Sequence, residues 1–180
     1  KALRLFNVPS GSGYNTAVGA LAGDQLTTGV KNTLIGGLAG DTITTGTNNT
    51  ALGYNTLQAT TTANENVALG SHSMYTNTTG TSNTSAGYWS LFANTTASNN
   101  TAFGYYALAA NTTGSENTAV GTNALGANTT GINNTAVGKS AFETNSTGSQ
   151  NTAIGRNALN GNTTASNNTS VGYGSLYANT

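Results

Sequence analysis

Every seventeenth residue from position 15 onward is an asparagine: Asn15, Asn32, Asn49, Asn66, Asn83, Asn100, Asn117, Asn134, Asn151 and Asn168. A glycine follows each of them by four residues: Gly19, Gly36, Gly53, Gly70, Gly87, Gly104, Gly121, Gly138, Gly155 and Gly172. No insertion or deletion interrupts the series. A typical unit runs from Asn117 to Asn133, NTAVGTNALGANTTGIN. The expected organisation is a leader over 1–14 and a solenoid over 15–180, built of ten 17-residue repeats of which the last is incomplete. The chain begins at Lys1 and stops inside a unit at Thr180, and so reads as a piece of a longer fibrous protein.

A period of 17 is too short for the paired helices of common α-solenoids, which need about 33 residues or more. Asn and Thr together occupy 62 of the 180 positions and Gly another 24, all poor helix formers. Each unit instead carries two short β-like patches, Asn-Thr-Ala-Val-Gly and a segment centred on Ala-Leu, separated by residues that favour turns. The prediction is an all-β chain, a parallel β-solenoid or β-roll with one repeat per coil. Coils stacked about 4.8 Å apart would make a rod roughly 48 Å long. Because a slip of one residue moves a strand's apolar side chains to its other face, unbroken phase implies one continuous ladder.

The fourth position of the unit is apolar throughout, for example Leu52, Phe103, Val120, Val137 and Ile154. The ninth is Leu57, Met74, Leu91, Leu108, Leu125, Phe142, Leu159 and Leu176, after Gly23 and Gly40. The third and eighth are small, as at Ala102 and Ala107. Alternation along a strand then puts small residues inside a narrow coil and the large ones outside. Outward Val, Ile and Leu would form an apolar stripe that soluble monomers avoid, so the expected covering is further copies of the same chain. A wider monomeric coil that takes the large residues inside is the alternative. The repeated Asn reads as an amide ladder, and the repeated Gly as a bend that needs positive φ or close backbone approach.

The first two units depart from the pattern. Gly23 and Gly40 replace the Leu, while Leu26 and Ile43 stand three places further along, so the core is expected to be rerouted there. Asp24 and Asp41 would stack on each other, and read as turn aspartates rather than a cation site. The leader, with Leu3, Leu5 and Pro9, reads as a short capping strand.

Five basic and five acidic residues amount to 6% of the chain, so there is no field for nucleic acid or anionic lipid. Cysteine is absent, which removes disulfides and Cys-based metal sites, and no apolar run approaches the ~18–20 residues of a membrane helix. No catalytic, cofactor or metal residues are assigned. His72 is the only histidine, at a variable position expected to face outward, and Glu65, Glu116 and Glu143 form no recurring pair. The reading is therefore not an enzyme. Aromatic residues fall in rows: Tyr54, Tyr88, Tyr105 and Tyr173; Trp89 and Tyr106; Tyr75, Phe92 and Tyr177. Such rows either stack on sugars of a receptor or stiffen the rod by stacking on each other, and stiffening is preferred. Among twelve Asn-x-Ser/Thr sequons, Asn77, Asn94, Asn111, Asn128, Asn145 and Asn162 share one repeat position and would form a glycan row if modified.

The combination of Asn117 to Gly121, Ala124-Leu125 and Asn128 to Gly131 resembles the degenerate repeats in the heads and stalks of trimeric autotransporter adhesins and of bacteriophage tail fibres. The resemblance covers Asn15 to Thr180. It implies a left-handed, trimeric β-roll on the outside of a cell or virion, and it implies no particular receptor. The leading functional expectation is a structural segment of an extracellular fibre or adhesin stalk, a stiff rod that self-associates as a homotrimer, end to end, or both. A carbohydrate-binding adhesin using its Tyr rows is the alternative. An ice-binding solenoid comes third, because adjacent Thr pairs such as Thr112-Thr113 point to opposite faces.

Overall fold

The computed structural model describes residues 13–178. The capping strand expected at Lys1 to Pro9 lies outside them. Ten strands form one parallel sheet in chain order: β1 (Thr16–Val18), β2 (Thr33–Ile35), β3 (Thr50–Leu52), β4 (Val67–Leu69), β5 (Thr84–Ala86), β6 (Thr101–Phe103), β7 (Thr118–Val120), β8 (Thr135–Val137), β9 (Thr152–Ile154) and β10 (Thr169–Val171). The protein is an all-β solenoid. Register is set by the repeat: Thr118 pairs with Thr135, Ala119 with Ala136 and Val120 with Val137.

Backbone bonds link the coils all the way round, not only along the sheet. Thr118 N–H donates to Asn134 O at 2.8 Å, Leu125 N–H to Ala141 O at 3.1 Å and Thr129 N–H to Ser146 O at 2.9 Å. Three extended residues cannot close a lap by themselves. The remaining curvature comes from residues with left-handed backbone. In the coil beginning at Asn117 these are Gly121 (φ 136°), Asn123 (57°), Leu125 (50°) and Asn133 (57°). At Gly121 the need for glycine is steric as well as conformational, because a Cβ there would lie 2.5 Å from Gly138 O of the next coil.

The second patch is therefore not a strand, and one expectation is corrected. The large residue of the fourth position does face outward, but the Leu of the ninth does not. Alternation holds only for extended backbone. With Leu125 in the left-handed region, Ala124 and Leu125 both turn into the coil and both are buried. The core is thus three stacked columns: Ala102, Ala119, Ala136 and Ala153 from the strands; Ala107, Ala124, Ala141 and Ala158; and Leu57, Met74, Leu91, Leu108, Leu125, Phe142 and Leu159. Each left-handed Leu costs about 1–2 kcal/mol. Its burial returns about 1.5–3 kcal/mol.

In the first two coils the core is rebuilt as expected. Leu34 stands where other strands carry Ala or Ser, and fills the space left by Gly23 and Gly40. A Cβ on Gly40 would lie 2.7 Å from both Leu34 Cδ2 and Ile43 Cδ1. Leu26 and Ile43 occupy the column that later coils give to Thr60 and then to Asn77, Asn94 and their successors, and they are buried there.

Candidate functional site

Two amide columns run through the interior. In the first, the repeated Asn of each strand entry uses its whole side chain. Asn117 Nδ2 donates to Gly131 O of its own coil at 2.8 Å, and Asn117 Oδ1 accepts the backbone N–H of Asn134 at 2.9 Å. The pattern repeats from Asn15 to Asn151, and the residues from Asn32 to Asn151 are buried. Side chains also bond to one another in part of the column, as from Asn49 Nδ2 to Asn32 Oδ1 at 3.1 Å.

The second column consists of Asn77, Asn94, Asn111, Asn128, Asn145 and Asn162. Asn128 Nδ2 donates to Asn111 Oδ1 at 2.8 Å and to Gly131 O at 3.0 Å. All six side chains are fully buried. This corrects the expected glycan row. The nitrogen that a glycan would need is enclosed and spends its protons inside the coil, and a sugar there would force the ladder apart. Sequon spacing and ladder spacing coincide because both follow the 17-residue period. Among the described residues, the buried side-chain polar atoms without a hydrogen-bond partner are Asn55 Oδ1 and Trp89 Nε1. Amides buried at this density are tolerable only with such complete pairing.

The outer face of the sheet is the most apolar surface. Leu52, Phe103, Val120, Val137 and Ile154 stand in one row, each between 37% and 49% exposed. A Thr row flanks it on one side, at Thr84, Thr101, Thr118, Thr135 and Thr152. Tyr54, Tyr88 and Tyr105 flank the other. The Thr pairs lie elsewhere: Thr112 Oγ1 donates to Thr129 O of the next coil at 3.0 Å, while Thr113 is exposed.

Apart from Tyr173 and Tyr177 in the last coil, the aromatic rows meet in one cluster over four coils, starting from the Tyr row that edges this face. Tyr75 and Phe92 stack at 5.3 Å with planes 5° apart, Trp89 and Phe92 at 4.2 Å and 7°, Trp89 and Tyr106 at 5.3 Å and 23°. Tyr88 and Tyr105 stack at 5.8 Å and 12°. These rings spend their faces on each other. His72 is a half-buried member of this cluster on the outside of the coil. Its ring lies 5.6 Å from those of Tyr54 and Tyr75, and its Nδ1 is 2.8 Å from Ser71 Oγ. The pKa of Tyr106 is raised above 10.0, first by desolvation of its hydroxyl, then by the charge that Tyr105 would carry and by a hydrogen bond with Tyr105, and last by Tyr88.

Where the cluster ends, Ala109 and Gly126 continue the row that carried Tyr75 and Phe92, and Glu143 follows them. The emptied row leaves an open cavity lined by Tyr106, Ala110, Asn123, Gly126, Ala127, Glu143 and Thr144. Sequence reading left Glu143 without a role. The change of residue size along that row was the available signal. Among the described residues no three His, Cys, Asp or Glu side chains are placed to hold a metal ion, and no helix is long and apolar enough to cross a membrane. No family model matches this chain, and no curated protein or solved structure shows significant similarity to it.

Proposed function

We propose that this chain is a structural segment of an extracellular fibre or stalk, a stiff rod that associates with copies of itself through the outer face of its sheet. The observation that carries the reading is the unbroken row from Leu52 to Ile154, apolar and partly exposed on every strand. From the Thr row to the Tyr row the face spans five residues. At about 3.3 Å per residue across and about 4.8 Å per coil along ten strands, it measures about 800 Å2. That is about what one partner contributes to a stable interface. Within this face, a continuous row of exposed large apolar side chains is unusual on a monomer. The trimer implied by the adhesin and tail-fibre resemblance would set three such faces around one axis.

The function is mechanical. Bending the rod would stretch backbone bonds on every side of the coil, together with two internal amide columns. Neither charge nor disulfide contributes to that resistance. Sedimentation equilibrium tests the reading: a species of three times 18.0 kDa is expected. A monodisperse single chain at micromolar concentration would overturn self-association through this face.

A further inference from the structure

We propose that the cavity between Tyr106 and Glu143 binds one ring of a neutral pyranose sugar. The site needs no second copy, since every residue that lines it belongs to one chain. Its volume is about 420 Å3, within the range of about 300–1,000 Å3 common for small-molecule sites. Three features converge there.

The first is an aromatic wall. Trp89 covers one side of Tyr106, and the cavity residues all belong to Tyr106's own coil and the two after it. Tyr105 leans on the same ring at 4.4 Å with planes 42° apart, and no aromatic ring stacks on Tyr106 from the later coils that line the cavity. Tyr88, Trp89, Phe92 and Tyr105 each stack on at least one neighbouring ring, whereas Tyr106 also borders a cavity. The second feature is a fixed acceptor. Glu143 Oε1 accepts from Asn123 Nδ2 at 3.3 Å and Glu143 Oε2 from Asn160 Nδ2 at 3.3 Å. These two amides, one in the preceding coil and one in the following, hold the carboxylate in place and leave it lone pairs for two adjacent hydroxyls. The third is room at a position where other coils carry side chains, such as Phe92, Ala109 and Glu143. Gly126 is not among the left-handed residues, and a Cβ there would make a close contact of 3.3 Å with Asn123 O, which a shift of a few tenths of an ångström relieves. Its missing side chain shapes the cavity and serves no backbone need.

An aromatic face for C–H groups, a carboxylate and an amide for hydroxyls, and the small apolar walls of Ala110 and Ala127 match the two-sided chemistry of a pyranose. Saturation-transfer NMR on the whole chain with methyl glucoside, methyl mannoside and methyl galactoside tests this. Transfer to at least one glycoside is expected, with millimolar affinity. Gly126→Phe should abolish it by filling the cavity, and Glu143→Gln should weaken it at least tenfold while the far-ultraviolet spectrum stays unchanged. If Gly126→Phe fails to fold, Glu143→Gln alone decides. The proposal is overturned if no glycoside receives saturation, if both variants bind as the parent does, or if tetramethylammonium binds in preference to every sugar, which would make the site a cation cage.

Discussion

Asn128 gives one amide proton to Asn111 Oδ1 at 2.8 Å, and in doing so joins two coils through groups that no water reaches. Asn128 Oδ1 in turn accepts from Asn145 Nδ2 at 2.7 Å. Replacing Asn128 by Ala leaves an acceptor on Asn111 and a donor on Asn145 with fewer partners. The expected cost is about 2–3 kcal/mol, read as a lower denaturant midpoint at unchanged slope. Asn128→Asp should be worse, because it buries a charge or forces its protonation.

Two glycines in the coil beginning at Asn117 should respond in opposite ways to the same change. Gly121→Ala places a methyl against the Gly138 carbonyl at a φ of 136°, and is expected to destabilise by more than 3 kcal/mol or to prevent folding. Gly126→Ala is expected to lie within about 0.5 kcal/mol of the parent. Thermal unfolding of the pair measures the contrast.

Leu34 and Gly40 form a swap that a double-mutant cycle can reveal. Leu34→Ala should cost about 2–5 kcal/mol by opening a cavity, although Ala is what most other strands carry at that position. In a background where Ile43→Thr removes the other close contact, as Thr60 of the next coil does beside Leu57, adding Gly40→Leu should recover much of the loss. Its backbone φ of 57° is close to the 52° that Leu57 adopts in the next coil. Coupling of at least 1 kcal/mol is expected between the two changes.

A charge on the sheet face should separate the copies without unfolding the chain. Val120→Asp with Val137→Asp is expected to shift sedimentation to a single chain while circular dichroism keeps its β signature. The same two changes at Thr113 and Thr130, on another side of the coil, should leave the assembly as it is.

The raised pKa of Tyr106 sets the sign of an alkaline effect. The folded chain holds that proton to higher pH than the unfolded chain does. Between the two values the folded state binds more protons, so stability falls as pH rises beyond about 10. Tyr106→Phe should lose this component of the alkaline decline, seen by comparing denaturation midpoints at pH 9 and pH 11.

The period was legible because a stacked coil places each residue beneath its equivalent, so sequence phase and spatial register are the same thing. The inside position of Ala119 and the outside position of Val120 follow from strand alternation. Leu125 did not obey that rule, because nothing about a leucine announces a left-handed φ of 50°. The sequon row misled for a related reason: Asn128 satisfies a surface motif and a buried ladder with the same three letters. The cavity beside Tyr106 lay hidden because its walls come from three coils and its floor is an absent side chain at Gly126.

Each coil touches only the coils before and after it, and it offers both of them the same outline. The molecule therefore has no fixed length written into its packing. From the third coil onward, excising or duplicating a whole number of periods rejoins cross-sections of the same pattern. A gene encoding such a chain can lengthen or shorten its product by unequal recombination and leave the packing between the remaining coils unchanged.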